Sequence, residues 1–146
     1  DIDRFKLVND QYGHEVGDEI LQFLTQQIQL QLRTNDHLGR IGGEEFIVIL
    51  PETNEKTALI IAERIRTHIE KQTFFTRAES TPIQITISIG LSATSTANNG
   101  NTAGQLSVDL MKQADQAMYN AKNTGRNKSS SWHEINQNGM INSSIR

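Results

Sequence analysis

The chain has 146 residues, 36% of them hydrophobic and 21% charged, which describes one globular domain rather than a disordered segment. A net charge of −3 lacks the basic footprint of a partner for long nucleic-acid polymers, though a small nucleotide held by a few placed cations stays open, and the absence of cysteine excludes disulfides and thiolate metal sites and fits a cytoplasmic protein. The longest apolar run, Phe46 to Leu50, cannot cross a bilayer, and a first residue that is Asp1 rather than Met leads us to expect a natural N-terminus further upstream.

Asp1-Ile2-Asp3 reads as the end of a strand, with the two acids on one face because strand side chains alternate. Phe5 to Asp10 predicts a short helical segment, ended by Tyr12-Gly13-His14. A longer helix is expected from Gly17 to Leu32, with Leu21, Leu24 and Ile28 facing the core. Arg33-Thr34-Asn35-Asp36 forms its exit loop. Gly42-Gly43 then signals a hairpin turn, followed by Glu44-Glu45 and a strand, Phe46 to Leu50, that looks hydrophobic enough to be buried. Two carboxylates on the lip of a buried strand are costly unless a cation sits there. That is a first hint of a metal, although a solvated hairpin with surface acids explains this stretch equally well.

Pro51 closes the strand, and Thr53 or Asn54 caps a helix to about Lys71, with Ala58, Ile61, Ala62, Ile65 and Ile69 inward. Phe74 to Arg77 is a short extended segment, and Ile83 to Leu91 alternates as a strand. Ser95 to Asn101 is a polar loop, and Thr102-Ala103-Gly104-Gln105 has the form of a capping box. The helix it opens runs to about Thr124, burying Leu106, Leu110, Ala114, Ala117, Met118 and Ala121, with Gly125 as C′ residue. Asn127 to His133 is expected as an edge strand around Trp132, and residues 134–146 as a disordered tail. The folded domain is thus placed at residues 1–133. The order of elements predicts an α/β fold, an α+β sandwich whose sheet includes antiparallel pairs.

Gly42-Gly43-Glu44-Glu45-Phe46 resembles the signature of the GGDEF domain, the catalytic unit of diguanylate cyclases, in its GGEEF form. The resemblance extends through Asp1 to Asp10, Gly13-His14, Gly17-Asp18, Ile85 to Gly90, Ala114-Asp115, Met118-Tyr119, Ala121-Lys122 and Gly125-Arg126-Asn127. It implies a central, mainly antiparallel sheet flanked by helices, of the nucleotidyl-cyclase or polymerase-palm type. The family's domain starts further upstream, so this chain is expected to be N-terminally truncated and to belong to a longer protein. That protein would carry a sensory or receiver domain upstream, and membrane anchoring of the whole is open.

The implied chemistry joins two GTP into cyclic di-GMP and pyrophosphate by nucleotidyl transfer across a homodimer. The resemblance makes Asp1, Glu44 and the Ile2 carbonyl ligands of Mg²⁺ (or Mn²⁺), two ions per active site. It makes Glu45 a candidate at the second ion or at the 3′-hydroxyl proton, because neighbours on a strand face opposite ways. Asn9 and Asp18 match the guanine readers, and Lys6, Lys122 and Arg126 the phosphate-binding cations. Taken alone, Asp18 is explained as well by the dipole of a helix's first turn, and Lys122 and Arg126 by that of a helix end. Gly42 and Gly43 let the backbone approach the nucleotide and supply the positive φ of a tight turn. Arg33, Asp36 and Arg64 match the family's RxxD inhibitory site, where cyclic di-GMP would act as inhibitor. His14, His37, His68 and His133 lack metal-ligand spacing. Two alternatives remain: a non-catalytic receptor for GTP or cyclic di-GMP, and a phosphotransferase for another nucleotide, which Asn9 with Asp18 disfavours.

Overall fold

The structure, a computed structural model, describes residues 1–76, 82–94 and 103–143, and of residue 103 and residues 138–143 the backbone alone. Helix α1 (Phe5–Tyr12) and helix α2 (His14–Gln29) are separated by Gly13, whose φ of 86° breaks the helical path. That break places the start of α2 before Gly17, so Gly17 lies inside the helix rather than opening it. Ile20, Leu21, Leu24 and Ile28 form its buried stripe.

Strands β1 (His37–Gly42) and β2 (Glu45–Ile49) make the expected antiparallel hairpin. Two expectations about it fail. Neither Gly42 nor Gly43 adopts positive φ; among the described glycines only Gly13 and Gly125 do. The pairing instead shifts between Arg40↔Phe46 and Gly42↔Glu45, leaving Ile41 as an extra residue. A bulge of this kind adds local twist, which lets the turn close without left-handed glycine. Nor is β2 buried: Phe46, Val48 and Leu50 pack against the core from one face, while Ile49 on the other is 53% exposed.

Asn54 caps helix α3 (Glu55–Glu70), its side chain accepting from the Thr57 N–H at 2.9 Å. The five apolar positions expected inward are all buried. The strand expected over Ile83–Leu91 is split among three partners. Strand β4 (Pro82–Ile83) pairs antiparallel with β3 (Phe74–Phe75), Ile87 bridges antiparallel to Ile2, and β5 (Ile89–Leu91) pairs parallel with β6 (Ser129–Ser131). Among the described residues the strands therefore form three separate two-stranded ladders, antiparallel except for β5–β6. The alternation itself holds, with Ile83, Ile85 and Ile87 all in the core.

Helix α4 (Ala103–Asn123) crosses β5 so closely that a Cβ on Gly90 would lie 2.0 Å from the Ala114 carbonyl oxygen. Ala117 and Ala121 are therefore fully buried on α4, whereas Leu106, Leu110, Ala114 and Met118 are half-buried at its flanks. Both α3 and α4 pack on the β5–β6 pair. The edge strand ends at Ser131, and Trp132 opens helix α5 (Trp132–Ser143), so the segment expected to be a tail from residue 134 is helical as far as Ser143. Its Glu134 in the first turn suits the helix dipole, a signal that the Asn- and Ser-rich composition obscured. The Ser95–Asn101 loop, the Thr102 cap and Arg77 lie outside the described residues. Among the described residues no helix is long and apolar enough to cross a membrane.

Two polar clusters close the packing. The buried Asp3 carboxylate accepts from Thr86 Oγ1 (2.7 Å), Ser88 Oγ (2.6 Å) and the Asn127 N–H (2.9 Å). On α3, Arg66 binds Glu63 at 3.0 Å and Glu70 at 2.9 Å, and Glu63 also accepts from the Ser129 N–H at 3.0 Å. Burial acts to raise the Glu63 carboxyl, but hydrogen bonds from Ser129 and Arg66 outweigh it and hold the group below its ordinary 4.5. Hydrogen bonds from Asn127 and Arg66 hold Glu70 below the same value.

Replacing Asp3 by Ala orphans three donors, so urea unfolding of the variant should show a loss of about 3 kcal/mol with the denaturant slope unchanged. Glu63 and Glu70 have folded-state values below their unfolded ones. Their contribution is therefore complete above the ordinary 4.5 and lost as pH falls through the folded values. Unfolding followed across that window should show stability falling with acidification, and a shallower fall in Arg66→Ala.

Candidate active site

Asp1 lies where the Ile2–Ile87 bridge brings the N-terminal segment against residues 86–88. Its side chain is only 4% exposed, and its Oδ2 pairs with Lys122 Nζ on α4 at 2.9 Å. A carboxylate buried to that degree needs a cationic partner. The sequence offered Asp1 as a candidate metal ligand and Lys122 as a candidate phosphate cation separately, and the fold joins them as an ion pair. The bridge's hydrogen bonds run from Ser88 N–H to Asp1 O (3.0 Å) and from Asp3 N–H to Thr86 O (2.9 Å). The Ile2 carbonyl takes no part in them, because in such a pair alternate residues point their polar groups to the other edge.

The charges of Lys122, Asp3, Glu45 and Glu44 all act at the backbone nitrogen of Asp1. The hairpin acids are thus close enough to Asp1 to be felt there. Glu44 is half-buried in the turn between β1 and β2, with no hydrogen bond or ion pair among the described residues. Glu45 is exposed and folds back over the turn, so that a Cβ on Gly42 would meet its Oε2 at 3.3 Å. Arg40, which the sequence did not single out, steadies the turn by donating from Nε to the Gly43 carbonyl at 2.9 Å.

Asn9 sits on α1 against α2. A Cβ at Gly17 would lie 1.9 Å from Asn9 Oδ1, so only glycine leaves room for that amide. Asn9 Oδ1 is buried and has no hydrogen-bond partner among the described residues. A buried acceptor without a donor costs about 1–3 kcal/mol. Asp18 is exposed on α2, where it lines an open cavity of about 310 Å³ with Leu21, Gln22, Thr25 and Arg40. With α2 starting at His14, Asp18 lies past the first turn, where the dipole effect has faded. The helix-dipole account of this acid therefore loses its basis.

Lys6 is on the exposed side of α1 with no partner among the described residues, and nothing there draws it to Asp1. Arg126 is exposed in the turn after α4, at a φ of 63°. At the opposite end of α2 a second cluster forms. The Arg33 N–H donates to Asp36 Oδ2 at 2.8 Å, and Arg64 Nη2 on α3 donates to the Gln31 carbonyl at 2.5 Å. Of the histidines, His68 contacts Gln27 Oε1 at 2.8 Å. Among the described residues no three acidic or histidine side chains gather as a metal site.

The family model for "Diguanylate cyclase, GGDEF domain" matches residues 1–128. This chain belongs to the GGDEF family. It is 44% identical over 127 residues to the response regulator PleD of Caulobacter vibrioides, covering 87% of this chain and 27% of PleD. A diguanylate cyclase of Vibrio cholerae is 39% identical over 128 residues, covering 88% of this chain and 37% of that protein. The chain therefore spans well under half the length of these relatives. Among solved structures, the GGDEF domain of DgcB from Caulobacter crescentus in complex with c-di-GMP aligns with a TM-score of 0.81 at 28% identity, covering 91% of this chain and 74% of that one. The active GGEEF domain of a Vibrio cholerae diguanylate cyclase aligns with a TM-score of 0.76 at 38% identity, covering 90% of this chain and 78% of that one. The α+β architecture of this GGDEF domain is thus shared with structures of its family.

In this GGDEF domain Gly17→Ala should expel the Asn9 amide from its seat. Helix propensity gains about 1 kcal/mol at that position, yet the clash should outweigh it. Thermal unfolding should show net destabilisation.

Proposed function

We propose that this domain is the catalytic unit of a diguanylate cyclase, joining two GTP into cyclic di-GMP with release of two pyrophosphates. The observation that carries the reading is the buried Asn9 Oδ1, without a partner among the described residues and seated against Gly17, with the exposed Asp18 next to Gly17 in the chain. Both are acceptors, and the guanine edge offers the donors N1–H and N2–H that they lack. Adenine presents an acceptor at N1 instead, so it would leave these groups unsatisfied.

Lys122 and Arg126 would grip the phosphates, with Lys122 already aimed at the Asp1 carboxylate. Lys6 is a further phosphate cation in this reading. The donor set of Asp1, Glu44 and the Ile2 carbonyl is all oxygen, which fits Mg²⁺ or Mn²⁺, and one or two carboxylates with substrate phosphates suffice for magnesium. When bound, two such ions supply charge neutralisation at the phosphates and a more acidic attacking hydroxyl. The protein's own part is to orient the nucleotide, exclude water from Asp1 and accept the 3′-hydroxyl proton, a role open to Glu45. The 3′-oxygen then bonds to the α-phosphorus of the facing GTP as the bond to pyrophosphate breaks. Because each domain holds one GTP, two copies must meet face to face, and Gly42 and Gly43 leave the hairpin's backbone accessible for that approach.

Arg33, Asp36 and Arg64 are proposed to bind the product as an inhibitor. Their support is that three residues from two elements share one exposed end of α2. We also infer that the domain, matched by its family model over residues 1–128, is the cytoplasmic output of a longer, regulated protein.

Incubating the full-length protein with GTP and Mg²⁺ should yield cyclic di-GMP. Glu44→Gln should lower that yield by about 10²-fold or more with the fold retained. Tight cyclic di-GMP binding without any GTP turnover by the wild type would instead establish the receptor.

A further inference from the structure

The turn that carries Arg126 is held from α3 by a closed ring of side chains. Arg66 Nη1 donates to Asn127 Oδ1 at 2.8 Å and to Glu70 Oε2 at 2.9 Å, and Asn127 Nδ2 donates to Glu70 Oε1 at 2.7 Å. Arg66 also binds Glu63 and Thr67, and its side chain is only 14% exposed. The Asn127 backbone is fixed from the other side by Asp3, through its N–H at 2.9 Å.

What this ring holds is an unfavourable backbone. Arg126 and Asn127 both lie in the left-handed region, at φ of 63° and 45°. Asparagine tolerates that region, but arginine enters it at a cost and stays only where its surroundings over-determine it. Arg126 itself has no side-chain partner among the described residues. One helical turn earlier Lys122 is anchored on Asp1. The strained turn therefore sets where a free guanidinium points relative to a fixed ammonium.

We propose that the Arg66–Glu70–Asn127 ring is a positioning device for the nucleotide's triphosphate, holding Arg126 so that it and Lys122 address the same anion. The inference rests on the nucleotide-binding reading above and adds positioning residues that touch neither base nor phosphate. A helix-to-turn clasp with only a structural role would affect every ligand of the domain alike. A positioning role affects the phosphate contacts and spares the base contacts on α1 and α2.

The test measures, on the full-length protein with Mg²⁺, the affinities for guanosine and for a GTP analogue that resists cleavage between the α- and β-phosphates. Arg66→Ala and Asn127→Ala should each weaken the analogue about tenfold or more, while guanosine changes by less than about twofold. Cyclic di-GMP formation should then show a raised KM for GTP. Asn127→Ala replaces no residue of α3 and keeps the Arg66 pairs with Glu63 and Glu70, so it carries the test should Arg66→Ala fail to fold. Equal losses for both ligands, or no loss for either, would overturn the positioning role. A wild-type protein that binds the analogue no better than guanosine would overturn the nucleotide reading itself.

Discussion

The Asp3 carboxylate joins three segments that the chain order keeps far apart: the N-terminal residues, the strand at 86–88 and the turn at 127. A buried carboxylate persists only when its lone pairs are filled, and here two hydroxyls and one backbone amide fill them. Everything that identifies the site hangs on that junction. It seats Asp1 and Ile2 beside the strand, where Lys122 near the end of α4 pairs with Asp1. The clasp on α3 secures the same turn from behind, so two independent anchors converge on Asn127.

The proposed base-reading side of the site depends on a steric condition rather than a charge. Gly17 lies inside α2, where glycine weakens a helix, yet no other residue leaves room for Asn9. The result is an amide oxygen buried without a donor. Such an orphan, one of two among the described residues with Ser129 Oγ, is more informative than another surface acid. Gly90 makes a similar condition for α4, whose backbone rests directly on the strand and carries Lys122 toward Asp1.

The sequence was legible where local pattern and burial coincide. The stripes on α2 and α3, the hairpin, the Asn54 cap and the alternation through Ile87 follow from the spacing of apolar residues. It was less legible wherever pairing partners lie far away. The strand from Ile83 to Leu91 alternates without a break, but nothing local says that three segments share it. Phe46 to Leu50 looked buried because apolar content reveals neither how many faces are covered nor that only Phe46, Val48 and Leu50 point inward. Helix α5 was masked by polar composition, and the twist of the hairpin came from a bulge at Ile41 that the glycine pair does not encode. Within the site, Glu63, Arg66 and Glu70 show helix spacing in the sequence, but Asn127, their essential partner, is 61 residues from Arg66.

By itself the sequence determined the family and the chemical inventory: a GGEEF hairpin, an acid-rich start, an amide and an acid on adjoining helices, and cations at the end of a helix. These are matters of residue type and spacing, which the chain carries wherever it folds. Only the tertiary structure decided which of them meet. It paired Lys122 with Asp1, withdrew Asn9 Oδ1 from water, set Asp18 at an open cavity past the reach of the helix dipole, and made Asp3 a structural anchor. The physical reason is that ion pairing, desolvation and steric fit are properties of distances across the fold, and no local pattern fixes those distances.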